Sequence, residues 1–147
     1  RGLADATGQA FRFEGAMPDG FVYDTEPACR ALVSARELGG ERVWPLLALI
    51  QRAFYEQGMD VTTAPQLVDL AEQAGFDRAA FATTFAQADT RAATAADFVW
   101  AQDLGIAGFP TLLAERNGQV ALLTNGYQPL ERLQPLLGRW LQQATCA

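Results

Sequence analysis

Between Gly105 and Leu113 the chain reads GIAGFPTLL, and the apolar pattern changes its period across those nine residues. Upstream, apolar side chains recur every three to four positions; downstream they alternate. Two glycines and an X-Pro bond at the junction mark a deliberate change of direction, with backbone that can be held open toward a ligand. That order restricts the chain to a helical block, a corner, a short β-hairpin and a closing helix.

Composition narrows the function classes. At 147 residues, half of them apolar and nine of them Phe, there is enough material for one hydrophobic core. Eleven basic against seventeen acidic residues leave a net charge of −6, which repels nucleic acid and anionic membrane surfaces alike. The longest apolar run without a charge, Val43 to Ile50, falls far short of the roughly 20 residues that span a bilayer. The sequence contains no His, and Ser34 is its only Ser, so neither a Ser-His-Asp nor a Cys-His catalytic set can be assembled from it. Cys29 and Cys146 are too far apart for a CxxC motif, and without His they do not complete an ordinary zinc site. Gly105 and Gly108 precede a strand rather than a helix, unlike a dinucleotide loop, so no metal and no nucleotide cofactor is expected. The chain starts at Arg1 with no initiator Met and no signal-peptide core, and reads as cut from something longer.

Start and stop signals divide the helical block. Thr25 is the expected N-cap of EPACRALVSAREL, with Pro27 in the first turn and Gly39 just past the end. A second helix covers PLLALIQRAFYEQ, with Leu46, Leu49, Ile50, Ala53 and Phe54 on one face and Gly58 as its stop. Thr63 and Gln66 have capping-box spacing ahead of a third helix that ends at Gly75. Asp77 caps a short helix to about Ala88, and Asp89 or Thr90 starts another that reaches Gly105. After the corner, TLLAE and QVALL flank Asn117-Gly118, a strong signal for a two-residue hairpin turn with both residues at positive φ. The last helix carries Leu130, Leu133, Leu137, Trp140 and Leu141 on one face, with Pro135 as a break or a late start. Two strands alone are marginal in water, so this hairpin calls for further strands.

The helical block ending in LGIAGFPTLL, followed by ERNGQVALLTNGYQPLERL, resembles the C-terminal two thirds of a DsbA-family, thioredoxin-fold protein of the FrnE-like branch, over roughly Asp19 to Gln143. The resemblance implies an α/β, thioredoxin-like fold with an inserted helical domain. It assigns 1–104 to the helical insertion with an N-terminal remnant and 105–147 to the second half of the thioredoxin-like domain. The N-terminal β-α-β unit, which carries the redox CxxC in that family, lies outside the sequence. What remains is the substrate-facing loop, with a cis Phe109–Pro110 bond and with Phe109, Pro110 and Thr111 facing the ligand. The implied activity is that of a thiol-disulfide oxidoreductase or isomerase. A glutathione-dependent isomerase or transferase of the kappa type, or a non-catalytic helical binding module, stands as the alternative. No residue of the chain itself is assigned as catalytic.

The implied partners are a thiol or disulfide peptide or glutathione, the latter as a co-substrate, and either a second copy of the chain or the missing N-terminal segment. A cytoplasmic location is favoured over a periplasmic one because no disulfide framework is present. Cys29 has two readings. The helix dipole at its first turn lowers a thiol pKa, whereas Asp24 and Glu26 oppose that effect and favour an inert structural cysteine over a reactive one. Phe81, Phe85, Phe98 and Trp100 are expected to belong to the core rather than to a substrate groove.

Overall fold

The computed structural model describes residues 2–12 and 19–143. Cys146 lies outside them. The chain divides into two compact units, 1–98 and 99–147, with the boundary inside the helix Ala88–Asp103. The last buried side chain of that helix is Thr94, so its final turns no longer contribute to the helical core.

Among the described residues, every regular element of the first unit is helical. It contains α1 (Gly2–Thr7), α2 (Glu26–Gly39), a 3-10 turn over Gly40–Arg42, α3 (Val43–Gln51) continuing into a π-helical turn at Arg52–Glu56, α4 (Ala64–Gln73), α5 (Arg78–Ala86) and most of α6 (Ala88–Asp103). The face expected on α3 forms as read: Leu46, Ile50 and Ala53 are buried, and Leu49 and Phe54 pack beside them. They meet Leu67, Val68, Leu70 and Ala71 of α4 and Phe81 and Phe85 of α5. On α2 the buried residues are Pro27, Arg30 and Val33 together with the small Ala31, Ser34 and Ala35, which let neighbouring helices approach closely. Ser34 donates its hydroxyl to the Arg30 carbonyl at 2.8 Å, and Thr94 does the same to Thr90 at 2.8 Å, so these buried hydroxyls are satisfied within their own helices.

Several caps differ from the sequence reading. Thr25 is already helical in backbone and makes no side-chain cap; Asp24 replaces it, accepting from the Glu26 N–H at 3.0 Å. Thr63 has the extended backbone of an N-cap, yet its hydroxyl caps nothing and the box with Gln66 does not form. Asp77 caps α5 as expected, accepting from Ala80 N–H at 2.9 Å. At the end of α4, Gly75 takes φ 96° and donates to Glu72 O while Phe76 donates to Ala71 O, a Schellman closure that tucks the Phe76 ring against Phe81 at 5.6 Å.

Phe81 and Phe85 are core, as expected, but Phe98 and Trp100 are not: they are 38% and 51% exposed. Two positions apart on one helix, they point about 200° away from each other, so no single buried face accepts both.

The second unit holds β1 (Thr111–Arg116), β2 (Gln119–Asn125) and α7 (Leu130–Gln143). The strands pair antiparallel from Thr111↔Asn125 to Arg116↔Gln119, with a bulge at the step from Leu112 to Leu113. Asn117 and Gly118 turn the hairpin at φ 53° and 78°, as both central residues of a type I′ turn must. Helix α7 runs unbroken through Pro135. The carbonyl that Pro135 cannot reach, four residues back, belongs to Glu131, an exposed residue, so the lost bond falls on the solvent side of the helix. Trp140 takes the Arg116 guanidinium over its ring at 4.6 Å, a contact of α7 with the hairpin.

Phe81→Ala is expected to lower the unfolding free energy of the helical unit by about 3–5 kcal/mol, because Phe81 is fully buried among aromatic and aliphatic neighbours. Asp77→Ala removes only a cap, and about 1 kcal/mol is expected. Urea unfolding followed by far-ultraviolet circular dichroism measures both.

Candidate functional site

Helix α6 ends as α4 does. Gly105 takes φ 73° and donates to Gln102 O at 2.9 Å, and Ile106 donates to Ala101 O at 3.3 Å. The helix is thereby closed just before the corner, and the chain is released into Ala107-Gly108-Phe109-Pro110. The Phe109–Pro110 bond is cis. Two hydrogen bonds hold the corner on its C-terminal side. Thr111 Oγ1 donates to the Gly108 carbonyl at 2.7 Å, and Gly126 N–H donates to the Pro110 carbonyl at 2.8 Å. Gly126 reaches that carbonyl at φ 97°, a conformation suited to glycine.

Phe109 lies between these anchors. Its side chain is 92% exposed, and among the described residues no backbone hydrogen bond engages it. A fixed stretch of main chain with free amide and carbonyl groups, directly before a strand, can pair with another extended chain. Beside it lies a cleft of about 310 Å³ whose walls are Leu104, Ile106, Leu113 and Leu122, with Thr111 and Asn125 as polar lining. No charged side chain lines it.

Phe109, Pro110 and Thr111 therefore come together in the second unit. Cys29, the other residue singled out in the sequence, belongs to the first turn of α2 in the helical unit. Its thiol is half-buried, and burial pushes its pKa up; the carboxylates of Glu26, Asp97 and Asp24 push it further the same way. A thiol held protonated is a poor nucleophile, and this direction is opposite to the one a helix dipole would impose. Among the described residues no group of His, Cys, Asp and Glu side chains is arranged to hold a metal ion, and no helix is long and apolar enough to cross a membrane.

Residues 2–138 match the family of DSBA-like thioredoxin domains. The chain belongs to that family. The DSBA-like fold is also found in solved structures. A candidate protein disulfide isomerase from Nitrosomonas europaea is 43% identical, with a TM-score of 0.91 over 97% of this chain and 70% of that one. The cytosolic disulfide reductase DsbM from Pseudomonas aeruginosa is 32% identical, with a TM-score of 0.78 over 99% of this chain and 73% of its own. DsbM solved with GSH gives 32% identity and a TM-score of 0.75, over 94% of this chain and 71% of that one. No curated protein matches the chain. The DSBA-like assignment makes this a chain of the thiol-disulfide oxidoreductase family, with a mostly helical block and a two-stranded antiparallel sheet followed by a helix.

The sequence pointed to Phe109, Pro110 and Thr111 but not to Asn125, which enters the cleft because the hairpin register sets it opposite Thr111. The only advance signal was its place seven residues after Gly118, which no periodicity argument singles out.

Alkylation of Cys29 by iodoacetamide, followed in Cys146→Ser protein, is expected to be slower at pH 7 than that of free cysteine. Its rate should climb only above the usual thiol range, because the raised pKa leaves less thiolate at every lower pH. A rate profile with its midpoint below that of free cysteine contradicts this account.

Proposed function

We propose that this chain forms the substrate-facing part of a thiol-disulfide oxidoreductase or isomerase, with Phe109, Pro110 and Thr111 receiving the ligand. The observation that carries the reading is the corner itself: a Phe109 main chain without internal partners, held on its C-terminal side by the Thr111–Gly108 and Gly126–Pro110 hydrogen bonds. An extended peptide that lays its own backbone along Phe109 gains strand-like bonds without reordering the loop. Redox chemistry needs an attacking thiolate and a resolving thiol close by. Cys29 and Cys146 are not in CxxC spacing, which sets the second cysteine three positions after the first, so in this reading the electrons pass through a CxxC segment outside these 147 residues.

The similarity to DsbM, a protein solved with GSH, supports a second reading in which glutathione is the thiol co-substrate at the same corner. DsbM is cytosolic, and the same location is proposed here. The open edges of the two-stranded sheet are proposed to be completed by strands from such a segment or from a second copy of the chain.

Two arms test the proposal. The 147-residue chain alone should reduce insulin no faster than a free thiol; turnover lost on Cys29→Ser would place the chemistry in this chain. Joined to a strand-helix-strand segment bearing CxxC, it should turn over, and Thr111→Val, which deletes the hydroxyl bond to Gly108, should slow that turnover about three- to tenfold. A folded fusion that never reduces or isomerises disulfides overturns the oxidoreductase reading.

A further inference from the structure

The corner cleft has two polar side chains, Thr111 and Asn125, and their hydrogen-bonding capacity is used differently. Thr111 Oγ1 already donates to the Gly108 carbonyl at 2.7 Å. The Pro110 carbonyl beside it already accepts from Gly126. The Asn125 amide makes no hydrogen bond to any described residue and is exposed at the mouth of the cleft. Its location is fixed by the backbone, since Asn125 pairs with Thr111 at the end of the ladder and Gly126, next in the chain, is bonded to Pro110. A methyl group added to Gly108 would lie 3.9 Å from Asn125 Oδ1, so this amide sits against the turn that leads into Phe109.

We infer that Asn125 is a substrate-contacting residue whose side-chain amide, set opposite Thr111 at the cleft, hydrogen-bonds a peptide unit next to the substrate cysteine. The inference rests on the reading of the corner as the ligand surface and adds to it which side chain selects the ligand and by what chemistry. A primary amide offers donors and an acceptor together, the complement of a peptide group. A carboxylate is better served by a cation, and no charged side chain lines the cleft. The ligand recognised here is therefore an amide-bonded cysteine, a feature shared by a cysteinyl peptide and by glutathione.

The test is a nitrogen-15 NMR titration of the 147-residue chain with two probes that cannot exchange disulfides, S-methylglutathione and N-acetyl-alanyl-S-methylcysteinyl-alanine amide. The side-chain NH₂ signals of Asn125 should move together with the Phe109 amide for at least one probe, and the probe that moves them identifies the source of the ligand. Asn125→Ala should weaken that binding about three- to tenfold, the range of one hydrogen bond. Asn125→Gln, with a longer arm carrying the same group, should recover part of it. Unchanged affinity in Asn125→Ala, with the Phe109 amide still shifting, overturns the role of Asn125 and leaves the corner reading intact. No shift at Phe109 or Thr111 with either probe overturns the corner reading, and the inference with it.

Discussion

The hydrogen bond from Gly126 N–H to the Pro110 carbonyl, 2.8 Å long, ties the corner to the end of the hairpin. Without it the stretch from Gly108 to Pro110 keeps only the local bond from Thr111 to Gly108 among the described residues. With it, the last residues of β2 and the first of β1 form one frame, and Phe109 is presented from that frame rather than from a free loop. Three left-handed glycines serve this arrangement in sequence. Gly105 closes α6, Gly118 turns the hairpin, and Gly126 returns the chain to Pro110. Each conformation is costly for a side chain with a Cβ, so the corner depends on all three.

The helical unit is stabilised by different means. Its core is a contiguous apolar cluster from α2 to α5, fully buried at Leu46, Leu67 and Phe81. Arg30 places a charge at the edge of that core. The guanidinium is 6% exposed, stacks over Phe85 at 4.1 Å and approaches Glu26 at 3.3 Å, yet its Nε and Nη1 have no hydrogen-bond partner among the described residues. A buried cation is tolerable only with an opposite charge or an aromatic face nearby, and here both are supplied by the first turn of α2 and the end of α5. Removing Glu26 would leave the charge with the ring alone, a more disruptive change than deleting an exposed pair such as Arg36–Asp97.

Punctuation by Gly, Pro and Asn was the legible part of this sequence. The Asn117-Gly118 turn, the helix stops at Gly58, Gly75 and Gly105, and the corner itself follow from residue types with few permitted conformations. The capping hydroxyls were less legible, because Thr25 and Thr63 compete with neighbours such as Asp24, whose carboxylate reached the first free N–H instead. Side-chain burial late in α6 was misread at Phe98 and Trp100, since an aromatic residue carries no sign of where its helix leaves the core. The π-helical turn at Arg52–Glu56, which stacks Phe54 on Tyr23 at 4.8 Å, had no sequence signal in RAFYE that distinguishes it from ordinary helix. The place of Asn125 opposite Thr111 depends on strand register, and the bulge beside Leu113 shifts that register by a residue.

The central claim is that the corner binds a cysteine-containing ligand through the main chain of Phe109. A crystal structure of the chain grown with S-methylglutathione or a blocked cysteinyl peptide tests it most directly. The account predicts ligand main-chain atoms within about 3 Å of the Phe109 N–H or carbonyl, running alongside the corner like an added strand. A ligand seated elsewhere, or a Phe109 main chain already bonded to its own polypeptide, would contradict it.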